Sequence, residues 1–190
     1  MGHDEELLVR SQSDPHAFEA VVVTHSNSIY AFLYRRVPKL ADDLLAEVWV
    51  AAFSARSKFD PAQGSARGWL YGIARYVLLA HYRARIPEPA GIGDDCADRD
   101  HWERVDERID AASAAKPLIR AVGELPAEER EVLLLVAWDQ LRIVDAATVL
   151  GIPAGTARSR LHRARARMKI ALNSLVEVDR GDVVVAKGVN

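Results

Sequence analysis

Cysteine is nearly absent: the single thiol in 190 residues is Cys96, which excludes an internal disulfide framework or a Cys-rich zinc site and fits a reducing compartment. No uncharged apolar run approaches the ~20 residues of a membrane span. The N-terminus, MGHDEELLVR, has acids where a signal peptide carries bases and lacks an apolar stretch. The expectation is a soluble, cytoplasmic protein without membrane insertion. A strong overall charge is missing too. With a net charge of -2, any affinity for a polyanion must come from local clustering. What is plentiful is apolar character, 49% of residues, enough for a buried core in one domain or two small ones and too much for disorder throughout.

A local absence is more telling. From Ile152 to Ile170 there is no acidic residue, although five arginines and one lysine stand there. The surrounding stretch, LRIVDAATVLGIPAGTARSRLHRARARMK, carries Gly151 where a left-handed helix stop is needed and Pro153 where a new helix begins. This is the punctuation of a helix-turn-helix. In its first helix Ile143, Ala146, Ala147 and Leu150 form an apolar face of small residues suited to close packing on a partner helix. In its second, Ala157, Leu161, Ala164 and Met168 make a narrow apolar stripe, and Ser159, His162, Arg163 and Ala166 lie opposite. Arg158 and Arg165 flank one edge of that outer face, Arg160 and Arg167 the other. A helix of this shape enters the DNA major groove with its N-terminal residues at base edges and its flanking arginines at phosphates. Arg158, Ser159, His162 and Arg163 are the base-facing set; the bland alternative is a solvated basic face on a core helix.

Upstream, Asp14 and Pro15 start a long amphipathic helix reaching Val37, with Phe18, Val22, His25, Ile29, Phe32 and Arg36 on one face. Asp42 and Asp43 open a second helix, with Leu44, Val48, Ala51 or Ala52 and Ala55 at core spacing. Asp43 and Glu47 stand one turn apart. With no third ligand or histidine beside them, an acidic patch for a basic partner is favoured over metal binding or acid-base chemistry. KFDPAQGS, residues 58–65, has the composition of an ordered loop. A third helix, 65–85, interleaves Arg67, Arg75, Tyr76, His81, Tyr82, Arg83 and Arg85 with an apolar set of Trp69, Leu70, Ile73, Val77 and Leu78. Such a surface suits single-stranded nucleic acid, by stacking on rings and pairing of phosphates with arginines. The competing reading makes Trp69, Tyr71 and Tyr76 core or rim aromatics. From Pro87 to Lys116 the texture is that of a linker, with nine acids against four bases. Pro126, Glu128 and Glu129 then start a supporting helix, with the two acids at the positive end of its dipole. After Leu172 helical periodicity fades, and a disordered or loosely attached tail is expected. No patterned nucleophile or metal-ligand set is present, so neither an enzymatic activity nor a cofactor is expected.

In this order the segments resemble the extracytoplasmic-function group of bacterial sigma factors. DDLLAEVWVAAF is similar to the family's polymerase-binding helix, KFDPAQGSARGWLYGIARYVLLAHYRAR to its promoter-melting region, and LPAEEREVLLLVAWDQLRIVDAATVLGIPAGTARSRLHRARARMK to its minus-35 reader. The resemblance implies an all-α fold of two small helical domains: a region 2 bundle over 1–86 and a region 4 helix-turn-helix over 117–172. A flexible acidic linker, 87–116, would join them, and a tail, 173–190, would follow. It implies docking on core RNA polymerase by Asp43, Leu44, Glu47 and Val48. Contact with the minus-10 element would fall to Lys58, Phe59, Asp60, Gly64, Arg67, Arg75, Tyr76 and Arg83. The minus-35 contacts would be Thr156, Arg158, Ser159, Arg160, His162, Arg163 and Arg165. Promoter DNA, duplex and melted, and an anti-sigma factor are the implied partners beside the polymerase, which does the chemistry itself. Three positions depart from the family pattern: Ala46 stands where Gln is usual, Tyr76 where Asn is frequent and Ala80 where Asp is frequent. Promoter preference is therefore not carried over from relatives.

Overall fold

The computed structural model describes residues 2–85 and 116–185, and no strand occurs among them. Four helices come first: α1 (His3–Arg10), α2 (Ala17–Tyr34), α3 (Ala41–Ala55) and α4 (Ala66–Arg85). Single 3-10 turns at Pro38–Leu40 and Arg56–Lys58 punctuate them. The apolar spacing of α2 works as the sequence suggests, with Phe18, His25, Ile29 and Phe32 buried, although Val21 and Leu33 lie deeper than Val22 and Arg36. Leu44, Val48 and Ala52 of α3 meet that face, and Leu70, Tyr71, Ala74, Val77 and Leu78 of α4 complete the core. Tyr71 is 1% exposed and packs edge-on against Phe32 with ring centroids 5.3 Å apart, so here the core reading of the aromatics holds.

The first helix is not announced by the sequence, where residues 1–10 are read only as unlike a signal peptide and as part of the 1–86 domain. Its one fully buried residue, Leu8, fills the bundle, while its acids do local work. The Ala66 N–H, an orphan donor at the start of α4, donates to Glu5 Oε1 at 2.8 Å. His25 Nε2 lies 3.0 Å from Asp4 Oδ2.

The second unit holds α5 (Lys116–Gly123), α6 (Ala127–Ala137), α7 (Ile143–Leu150) and α8 (Ala154–Val185). Gly151 adopts φ +66°, and the Ile152 N–H reaches back to the Ala147 carbonyl at 3.0 Å, the helix-ending pattern its position implies. Pro153 opens the next helix, its carbonyl accepting from the Ala157 N–H at 3.0 Å. The stripe of Ala157, Leu161, Ala164 and Met168 is buried. The last helix does not stop near Leu172 but runs on to Val185. No proline interrupts that stretch, and once a helix is nucleated each added residue costs little. The acidic segment 87–116 lies outside the described residues, apart from Lys116 itself, where α5 starts.

The two units are packed together. α7 lies along α4, and Leu135, Leu141, Ala146 and Val149 belong to the same apolar core as the first four helices. The small-residue face of α7 thus finds its partner helix. Gly68 permits the approach: a Cβ there would stand 2.9 Å from the Asp145 Cβ.

Candidate nucleic-acid interface

Burial of its apolar stripe fixes how α8 presents its bases. Arg158, His162, Arg165 and Lys169, spaced i, i+4, i+7 and i+11, fall on one flank, exposed and without a hydrogen-bond or ion-pair partner among the described residues. Ser159, on the outermost line, donates to the Thr156 carbonyl at 2.9 Å. The other flank differs. Arg160 pairs with Glu128, while Arg163 Nε donates to Glu129 Oε1 at 2.9 Å and Arg167 Nε to Glu129 Oε2 at 3.0 Å. The absence of acids on the helix itself therefore does not leave all its bases unpaired, because α6 supplies two carboxylates across the groove between helices. Arg163, unlike Arg158 and His162, is thus tied to α6.

In the first unit, Lys58 is exposed at the end of the 3-10 turn. Asp60 organises the loop tip, Oδ1 accepting from the Ala62 N–H at 2.9 Å and Oδ2 from Gln63 Nε2 at 3.1 Å, and these bonds hold its carboxyl below the usual value. Phe59 is 5% exposed and packs edge-on against Trp69, at the root of the loop. A side chain at Gly64 would meet nothing within 4 Å. The tip opens onto a cleft of about 850 Å³ lined by Glu5, Pro61, Gln63 and Ser65 on one side and Arg142 and Asp145 on the other. Burial pushes the Asp145 carboxyl up, but hydrogen bonds from Arg142 and Ser65 and the Arg142 charge outweigh it and hold the group below its ordinary value.

Along α4, Tyr76 is 66% exposed and Arg83 is exposed. Arg67 and Arg75 are turned to the second unit: Arg67 Nη2 donates to the Asp139 carbonyl at 2.9 Å and Arg75 Nε to Glu131 Oε1 at 3.2 Å. Asp139, in the loop before α7, is the meeting point. Its side chain is 2% exposed, pairs with Arg35 and lies 3.4 Å from the Tyr71 hydroxyl, which donates to it. Burial pushes the Asp139 carboxyl up against the pull of Arg35 and Arg36, and burial likewise raises the Tyr71 phenol. The sequence reading missed Asp139 because its neighbours in space are about 70 and 100 residues away in the chain.

Comparison with known proteins gives this geometry a family. Residues 21–86 match the model of sigma-70 region 2 and residues 115–168 that of sigma-70 region 4. The chain is 32% identical over 159 residues to the ECF RNA polymerase sigma factor SigC of Mycobacterium tuberculosis, covering 83% of this chain and 84% of that protein. It belongs to the ECF sigma factors. Among solved structures, CnrH in complex with the cytosolic domain of CnrY matches with a TM-score of 0.62 at 27% identity, over 90% of this chain and 97% of that one. The sigma factor RpoE of Bartonella quintana, in complex with the anti-sigma factor NepR, shares the fold: TM-score 0.58, 21% identity, 82% of this chain and 96% of that one. This sigma factor is therefore two helical units, with α1 preceding the region 2 match. No described helix is long and apolar enough to cross a membrane.

One expected set needs correction in the sigma factor. Of the four residues read as polymerase contacts, Asp43 and Glu47 are exposed, but Leu44 and Val48 are 2% and 0% exposed and belong to the bundle core. Helical geometry forces the split: positions 44, 48 and 52 point inward, and 43, 46, 47 and 50 share the outer face. Val50, 68% exposed, is the large apolar residue on that face, beside the smaller Ala46.

Proposed function

We propose that this sigma factor docks on core RNA polymerase through the outer face of α3, where Asp43, Glu47 and Val50 surround Ala46. Acids around an exposed valine suit a partner helix that carries bases beside an apolar ridge. The loop 58–65, with Lys58, Asp60 and Gly64, and the exposed Tyr76 and Arg83 of α4 take the melted minus-10 strand. The unpaired flank of α8, with Ser159, reads the minus-35 duplex. The observation that carries the reading is that flank: four unpartnered basic or imidazole side chains in line on the second helix of a helix-turn-helix. The chain itself performs no catalysis, acts in the cytoplasm, and lends binding energy and strand separation to the polymerase's chemistry.

The packed arrangement bears on control. With Arg67 held by Asp139 and Arg75 by Glu131, strand contact by these two arginines requires the units to separate. An anti-sigma factor that favours the packed form would keep these two arginines from the melted strand, and the complexes seen for similar folds support such a partner. Reconstitution with core polymerase tests the proposal. The chain is expected to co-elute with the enzyme and to direct run-off transcription from a subset of genomic fragments. Failure to bind polymerase, or tight sequence-specific duplex binding by the chain alone, would instead make it a conventional repressor or activator.

A further inference from the structure

Glu129 stands at the third residue of α6, where an acid is ordinarily explained by the helix dipole. Its side chain is 7% exposed, however, and each of its two oxygens accepts from a different arginine. Those arginines, Arg163 and Arg167, are one turn apart on α8 and only half-buried, 53% and 57% exposed. Each gives its Nε–H to the carboxylate. The terminal nitrogens have no other partner among the described residues and stay toward solvent. Two long side chains that would otherwise sample many rotamers are thus tied, side by side, to one buried anchor. One carboxylate against two guanidiniums leaves a net positive charge facing outward.

We propose that Glu129 is a positioning residue that presets Arg163 and Arg167 as a two-guanidinium clamp for a single backbone phosphate of duplex DNA. The inference rests on the reading of α8 as the duplex-facing helix and divides that helix in two. The pinned flank grips the backbone whatever the sequence, and Arg158, Ser159, His162 and Arg165 carry the sequence preference. Preorganisation and simple electrostatics give opposite signs for loss of the anchor. Removing an acid beside DNA strengthens binding if charge alone matters, and weakens it if the acid's service is to hold the arginines.

The test uses holoenzyme assembled from the full chain and core polymerase, with a pool of promoter duplexes randomised across the minus-35 element and read by binding and sequencing at several salt concentrations. Arg163→Ala and Arg167→Ala are each expected to lower binding several-fold while enriching the same sequences as the unmodified protein. The double variant should reduce the slope of log affinity against log salt by about 0.9, the value for one phosphate, rather than twice that. Glu129→Gln should also weaken binding several-fold with unchanged sequence preference, although it removes a negative charge, and should do nothing further when both arginines are already alanine. That cycle separates positioning from damage to the fold, since a misfolded unit loses binding on either background. Tighter or unchanged binding by Glu129→Gln, or a changed sequence preference in Arg163→Ala, overturns the inference. If the unmodified holoenzyme enriches no sequence, the reading of α8 as a duplex reader fails, and the inference falls with it.

Discussion

At the scale of single residues, two positions carry costs visible in the backbone and in protonation. Gln140 has φ +54° in the turn before α7, a left-handed conformation in which a side chain crowds its own carbonyl. Its side chain is exposed, so little is lost by deleting it. Gln140→Gly is expected to stabilise the chain by about 0.5–1 kcal/mol, read as a higher urea midpoint at unchanged slope. His25 is the second. Burial lowers its pKa from the ordinary 6.5, only partly offset by the Asp4 carboxylate, while Arg67 lowers it and Glu5 raises it slightly. Below pH 6.5 the unfolded chain therefore binds a proton that the folded chain resists, and stability falls on acidification until the folded value is reached. Urea unfolding at about pH 7.5 and about pH 5.5 should show that loss, and His25→Gln should shrink it; equal loss in both proteins would place the proton elsewhere. Residue type alone exposes neither feature: a strained turn and a buried imidazole depend on what the fold puts around them.

Element by element, periodicity served well where one face meets one partner. The inward stripe of α8, the core residues of α3 and the stop at Gly151 all follow from spacing and turn chemistry in the sequence. It served less well where a helix has two jobs. In α3, grouping Leu44 and Val48 with Asp43 and Glu47 as one docking surface joined core residues to exposed ones about 100° away around the helix. The separation is measurable. Leu44→Ala should cost about 2–5 kcal/mol of folding stability through the cavity it leaves. Val50→Asp should change stability by no more than about 0.5 kcal/mol yet weaken binding to core polymerase. Loss of stability in the second variant, or none in the first, would reverse the assignment. Glu128 and Glu129 make the same point, since their dipole role is legible in the sequence and their hold on α8 is not. The short α1 was illegible because its stability comes from Leu8 and from capping of α4, not from a pattern of its own.

For the whole molecule, the arrangement of the units was the least accessible property, because it hangs on side chains far apart in the chain that converge on Asp139 and on the space left by Gly68. Substitution at the glycine should disturb the arrangement with little effect on either unit. Gly68→Val directs its branches at Asp145, and small-angle scattering is expected to report a larger radius of gyration while the helical circular dichroism is retained. An unchanged radius would mean that α7 shifts sideways without leaving α4. The Asp139 cluster adds little net stability in itself, since a buried ion pair gives back in desolvation much of what it gains in attraction. Its value is to fix which surfaces of the two units meet.

Parting the units returns the carboxylates of Asp139 and Glu131 and the guanidiniums of Arg35, Arg67 and Arg75 to water in the same event that uncovers the apolar side chains around Ala146 and Val149. A parted form would thus differ from the packed one chiefly in hydration, and solutes that act on water rather than on the protein become handles on their balance. Excluded osmolytes that strengthen apolar burial should favour the compact form, and low concentrations of urea the extended one.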